Sequence, residues 1–320
     1  MKISANGGGR QHIGIDVLYV VRRLLHGVVV LFGISTVVFA LTWLTGDPAS
    51  VLLPINTPPD QVASFRHQLG LDKPLPIQYV EFLGRALHGD FGTSLRNRTA
   101  ALPLVLSRLP VTLELMAAAL LFALLVALPL GVLAATFHRK LPDSLARFVA
   151  LIGQSLAAPW LGIMLIFVFA VNLRWLPSSG AAQPQSVILP AIVAGAYSAA
   201  GLTRLLRSSL LEVMANDYIR SARGKVLPTR LVVLRHAFKN AAIPVIAFFG
   251  IKITFMFGNT VVAEAMFAYP GMSRLAVEAI ATRDMPVIQV FVLLAGALVV
   301  CVNIVADLMY AWLDPRIRFA

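Results

Sequence analysis

The sequence has 320 residues, 58% of them hydrophobic and only 13% charged, with a mean hydropathy of +0.80; such a composition excludes a soluble domain wrapped in a polar coat. The net charge of +12 raises nucleic acid as a partner, but the placement of the cations, set out below, excludes that too. Lipid is the solvent for most of the chain, so its elements are uncharged runs of about 20 residues, the length that crosses a hydrocarbon core of about 30 Å.

The tail at 1–23 carries Arg22 and Arg23 directly before the first uncharged run, 24–45. That run is too long for the apolar region of a signal peptide and no small-residue cleavage site follows it, which predicts an uncleaved first span. An outer segment, 46–111, is rich in Pro, Gly and charge; within it, 59–69 and 77–87 have helical spacing of apolar residues. Further spans are predicted at 115–137, 148–173, 187–211, 243–265 and 286–312, about six in all, followed by a tail at 314–320. These runs are long and apolar on every face, unlike the short alternating strands of a barrel, so the expected fold is an all-α integral membrane domain over 24–313.

Placing the N-terminus inside puts 1–23, 138–147, 204–239 and 313–320 in the cytoplasm. These segments hold 17 Lys/Arg against 5 Asp/Glu, whereas the outer segments hold 9 against 9. The positive excess therefore lies inside, the bias of a multi-pass membrane protein with both termini cytoplasmic. Cys301 falls within the last span, where packing is its expected role.

The main cytoplasmic feature is the region 212–240. Leu205, Leu210, Leu211, Val213 and Met214 extend the fourth span as an amphipathic helix. Asn216 and Asp217 then offer an N-cap for a short helix over 218–225 that Pro228 ends. Arg220, Arg223 and Lys225 rim it, making a cationic knob on the membrane face. On the outer side Tyr269-Pro270-Gly271 marks a turn, and 272–282, with Glu278, reads as a short helix forming a lip. Asn303 and Asp307 stand i, i+4 in the last span, and Gln154 and Ser155 sit beside Pro159; interhelical hydrogen bonds are expected of them.

The sequence lacks a phosphate-binding G-x-x-x-x-G-K-[ST] loop, an H-E-x-x-H pair and a G-x-S-x-G elbow. No catalytic residue, metal ligand or bound cofactor is therefore expected of this chain.

Several segments, in order, resemble one transporter family: Tyr19-Val20-Val21-Arg22-Arg23-Leu24-Leu25, Thr45-Gly46-Asp47-Pro48-Ala49, Leu69-Gly70-Leu71-Asp72-Lys73-Pro74-Leu75, Gly89-Asp90-Phe91-Gly92-Thr93-Ser94-Leu95 and Leu109-Pro110-Val111-Thr112-Leu113-Glu114-Leu115. Asp217-Tyr218-Ile219-Arg220-Ser221-Ala222-Arg223, Arg235-His236-Ala237-Phe238-Lys239-Asn240-Ala241 with Ile243-Pro244, and Asp314-Pro315-Arg316-Ile317-Arg318 follow. Together they resemble the dipeptide/oligopeptide/nickel group of ATP-binding cassette importer permeases. The resemblance implies a type I importer permease fold in a bacterial inner membrane. It implies a transport subunit without its own nucleotide site, forming half of a pathway for di- or oligopeptides or a related small solute. The implied partners are a second homologous permease, two cytoplasmic ATPases that bind ATP and Mg, and an extracytoplasmic solute-binding protein.

The same resemblance implies that Asp217, Tyr218, Ile219, Arg220, Ser221, Ala222, Arg223, Gly224, Lys225, Val226 and Leu227 form the coupling helix that docks on an ATPase. The family pattern commonly has glycine where Val226 stands, and here Gly224 lies two residues earlier, so the local turn departs from that pattern. Candidate pathway residues are Lys252, Asn259 and Glu264. Lys252 lies about nine residues into its span, about 14 Å deep, where an unpaired charge costs at least ~2.5 kcal/mol; it either meets solute carboxylates or pairs with a neighbouring helix. The alternative function, an ion-gradient-driven secondary transporter or channel, needs intramembrane carboxylates or broken-helix repeats, and of these only Asp307 is present.

Overall fold

The computed structural model describes residues 17–44, 57–68, 72–217, 219 and 237–313. The described helices are α1 (Val17–Leu44), α2 (Pro59–Gln68), α3 (Leu75–Leu87), α4 (Ala101–Thr136), α5 (Leu141–Ser155) and α6 (Ala158–Leu165), the last prolonged by π-helical turns over Ile166–Asn172. A 3-10 turn, Pro184–Val187, leads into α7 (Ile188–Met214), followed by α8 (Phe238–Met266), α9 (Met272–Thr282) and α10 (Met285–Leu313). Among the described residues the only β pairing is an isolated bridge between Thr93 and Ala100.

Four segments are each long and apolar enough to cross a membrane: Val21–Leu41, Ala101–Thr136, Pro184–Met214 and Met285–Ala306. Helices α5 and α6 are long and apolar enough only when taken together, and the pair is bent by 107°, the shape of a broken span or a re-entrant loop. The span expected over 148–173 therefore contains a sharp break. Pro159 has no N–H to donate to the carbonyl of Ser155 and its ring crowds that carbonyl, so α5 stops there; Leu156 (ψ 129°) and Ala157 (ψ 133°) are extended. Helix α8 has 29 residues, about 43 Å at 1.5 Å per residue, and contains the shorter apolar stretch Ile253–Met266. The expectation opened the second span at 115; α4 instead begins at Ala101, inside what reads as the outer segment.

Small residues set the packing, as expected where lipid gives helices no hydrophobic reason to associate. Ala119, Ala123, Ala127 and Gly131 of α4 are buried with Ala191, Ala194, Gly195 and Ala199 of α7. A Cβ on Gly195 would come within 2.5 Å of the Ala119 carbonyl oxygen, and one on Gly131 within 2.9 Å of Leu206. Because 119 meets 195 and 131 meets 206, α4 and α7 run parallel. Gly153 of α5 faces Ala196 and Ala200, so α5 runs back alongside α7, and Gly162 of α6 packs on Met266 and Phe267. These pairings sort the connections into two ends, one around Asp143, Arg207 and residue 219, the other around residues 93–112, Glu264 and α9.

Candidate functional site

At the first end the turn Phe137–Lys140 joins α4 to α5, with Arg139 in the left-handed region (φ 61°). Asp143, in the first turn of α5, accepts from the Arg139 amide at 3.0 Å and so holds this turn closed. An acidic residue there also suits the positive end of the helix dipole. From α7, Arg207 grips the same carboxylate with two parallel bonds, Nε to Oδ1 at 2.7 Å and Nη2 to Oδ2 at 2.9 Å. Arg147 Nε lies 3.3 Å from Oδ1, and His138 Nδ1 lies 3.2 Å from Arg207 Nη2. The Asp143 side chain is 1% exposed and that of Arg207 19%, so the pair is largely withdrawn from water. Sequence reasoning counted Asp143 only as a charge, although it is the one acid in the basic connection 138–147.

Seven residues beyond Arg207, α7 ends at Met214, and amides of Ala215 and Asn216 close the last turn on Glu212 and Val213 carbonyls. Asp217 is exposed there, while Ile219 is fully buried in the core that includes Leu206, Leu210, Ala237 and Ala241. The remaining coupling-helix candidates, Tyr218, Arg220, Ser221, Ala222, Arg223, Gly224, Lys225, Val226 and Leu227, lie outside the described residues.

At the opposite end three amides open α9, and each finds an acceptor on another helix. Met272 N donates to Thr112 Oγ1 of α4 at 2.9 Å, and Ser273 N and Arg274 N donate to Glu264 Oε2 of α8 at 2.9 and 3.0 Å. Glu264 is fully buried and serves as the N-cap that α9 lacks in its own sequence. Gly271 holds the N-cap position because a Cβ there would overlap the Glu264 carboxylate. Beyond α9, buried Asp284 accepts from Ser94 Oγ at 2.6 Å and from Arg96 N at 3.4 Å, tying the 93–100 turn to the start of α10. Glu278 holds Arg96 at 3.1 Å and Arg274 at 3.0 Å on the exposed side. Tyr269 is buried between these elements; burial raises the pKa of its hydroxyl, with the carboxylates of Glu114 and Glu264 adding to the effect.

Of the pathway candidates, Lys252 lies on α8 with its side chain outside the described residues, Asn259 is half-buried, and Glu264 is the buried cap. Seven residues is about two turns, so Lys252 and Asn259 share one helix face, whereas Glu264 is turned about 140° from Asn259. Near Lys252, Thr254 donates to Asn303 Oδ1 at 3.1 Å, joining α8 to α10 by the kind of interhelical bond expected of Asn303. Ser155 bonds instead to the Leu151 carbonyl of its own helix, at the break. The described helices are fastened at two ends, and positions 252 and 259 lie between those ends along α8.

The family description "Binding-protein-dependent transport system inner membrane component" matches residues 127–319, and the description of its N-terminal part matches 17–116. The chain belongs to this family. Among relatives of this permease, the glutathione transport system permease protein GsiC of Escherichia coli (strain K12) is 38% identical over 302 residues, covering 94% of this chain and 99% of that protein. The protein of the same name from Salmonella typhimurium gives the same figures. In fold, the permease resembles a chain of the inward-facing MetNI methionine transporter (TM-score 0.56, 18% identity, 66% of this chain and 96% of that one). It also resembles a chain of an amino acid ATP-binding cassette transporter (TM-score 0.53, 13% identity, 66% and 94%). The permease is thus an all-α, type I ATP-binding cassette importer subunit of the dipeptide/oligopeptide/nickel group. Importers of this kind work with ATPase subunits and a solute-binding protein.

Proposed function

We propose that this subunit forms half of an import pathway for a short peptide-like solute of the glutathione class, driven by ATP and Mg bound on two separate ATPase subunits. The observation that carries this reading is the 38% identity to the glutathione permease across nearly the full length of both chains. A second, homologous permease completes the pathway, and an extracytoplasmic binding protein delivers the solute. The Asp143 end faces the cytoplasm: it gathers His138, Arg139, Lys140, Arg147, Arg204 and Arg207, the positive side of a topology with both termini inside. Residues 217–227 dock on an ATPase. Burial of Ile219 supports this, since it roots the segment beneath α7 and α8 while Asp217 stays exposed.

Lys252 and Asn259 line the pathway on their shared face of α8, where an ammonium would meet the carboxylates of a peptide-like solute. Glu264 bounds its outer mouth by anchoring α9. The deciding experiment places this chain, its second permease, the ATPases and the binding protein in liposomes and measures uptake of labelled glutathione and of dipeptides. ATP-dependent uptake of at least one supports the reading. Uptake by this chain alone, insensitive to ATP depletion, overturns it in favour of a gradient-driven transporter. Charge reversal at Arg220 and Arg223 that leaves the ATPase co-purifying as before refutes the docking assignment.

A further inference from the structure

We infer that the Asp143–Arg207 pair is a positioning clamp that makes α5 move as one body with α7 and the segment following it, with residues 156–157 as the point of flexure. The inference rests on the docking role proposed for 217–227. Its first ground is the shape of the joint. A guanidinium seated on a carboxylate by two bonds of 2.7 and 2.9 Å fixes both distance and orientation between α5 and α7, which a single-point contact cannot do. Its second is position. Arg207 stands about 10 Å along the axis from the end of α7, and the helix between it and Met214 is unbroken, so a displacement at 215–219 reaches Arg207 without loss.

The third ground is the break. Helix α5 is attached to α7 twice, at the clamp and at Gly153, where a Cβ would lie 3.5 Å from the Ala196 carbonyl oxygen. Helix α6 also packs on α7, but it has an attachment that α5 lacks, Gly162 seated against Met266 and Phe267 at the far end of α8. Two extended residues separate them, with the backbone turning by 107°. Packed helices move as rigid pieces about such short extended joints. A pull on the docking segment therefore swings α5 against α6. Asp143 and Arg207 act through the helices they hold; they touch neither solute nor nucleotide.

Two measurements on the complete liposome-embedded transporter test this. In a Cys301→Ser background, spin labels at Leu145→Cys, Ser208→Cys and Ile163→Cys, all at exposed positions, report paired distances with and without ATP and vanadate. The expected result is an unchanged 145–208 distance and a changed 145–163 distance; a 145–208 distance that changes as much as 145–163 overturns the clamp. Separately, Asp143→Asn is expected to lower solute transported per ATP hydrolysed by about fivefold or more, with the ATPases still co-purifying. Arg207→Lys, which keeps the charge but not the paired bonds, is expected to lose coupling about as far as Asp143→Asn. Unchanged transport per ATP in an assembled Asp143→Asn complex refutes the clamp. Should Asp143→Asn fail to assemble, an Arg207→Lys complex that assembles with wild-type coupling refutes it equally. The wild-type complex separates the two hypotheses: if it binds no ATPase the functional reading fails, whereas coupled wild type with an unaffected variant removes the clamp alone.

Discussion

Both ends of the permease are organised around buried carboxylates, yet they satisfy them in opposite ways. Asp143 is held mainly by arginine side chains, whereas Glu264 is held by peptide amides and Asp284 by a serine hydroxyl and a more distant peptide amide. The amides on Glu264 belong to a helix's own backbone and cannot leave without unwinding it; a paired guanidinium locks two helices together through side chains and leaves both backbones intact. The contrast teaches that the Glu264 end is welded through backbone and the Asp143 end is clamped through side chains.

The comparison breaks most visibly if one partner of the clamp is removed. Arg207→Ala leaves a carboxylate, 1% exposed in the intact protein, with Arg147, His138 and one amide as its remaining partners among the described residues. A buried charge stripped of its main partner costs about 3 kcal/mol or more, so this variant is expected to show the largest fall in unfolding midpoint in detergent. Arg207→Lys should recover only part, because an ammonium cannot make the paired bonds. A fall as small as that of an exposed substitution would show that the carboxylate is not buried in the assembled protein.

The welded end is next. Gly271→Ala drives a methyl into the Glu264 carboxylate, an overpacking expected to cost about 2–3 kcal/mol. Glu264→Ala removes the obstacle but orphans two amides, about 2 kcal/mol. Because both act at one contact, the double variant should lose less than the sum of the two, and strict additivity would deny that they touch. Glu264→Gln, which keeps an acceptor oxygen but no charge, is expected to cost about 1 kcal/mol and to leave α9 folded by amide exchange.

These sites show how far the sequence could be read. Long uncharged runs gave the membrane class, and apolar spacing placed α2, α3 and α9 close to where they lie, because periodicity is a local property. The break after Ser155 was hidden because both of its arms are apolar: composition measures the length of a run and is blind to its direction. Pro159 was visible, and its missing N–H was the available signal. The clamp joins positions 64 apart, a pairing that only the parallel course of α4 and α7 creates. Glu264 stood out as an acid near a span's end, but its acceptor role depends on a glycine and two amides brought back by the turn at 267–271. That turn was legible; the hydrogen bonds it delivers were not.

The smallest expected effect sharpens the distinction between a weld and an ornament. Arg96 and Glu278 meet at 3.1 Å, but their side chains are 56% and 38% exposed, and both ends of this contact are already tied down by Asp284 and Glu264. Water and salt screen such a pair, so Arg96→Ala and Glu278→Ala should each cost less than about 1 kcal/mol, with a double-mutant coupling that fades as ionic strength rises. The coupling at Asp143–Arg207, shielded from solvent, should persist under the same salt. If the Arg96–Glu278 coupling proved large and insensitive to salt, that surface would have to be buried in the working transporter. A protein resting on α9 would then be the natural cause, and the outer end would be an interface as well as a weld.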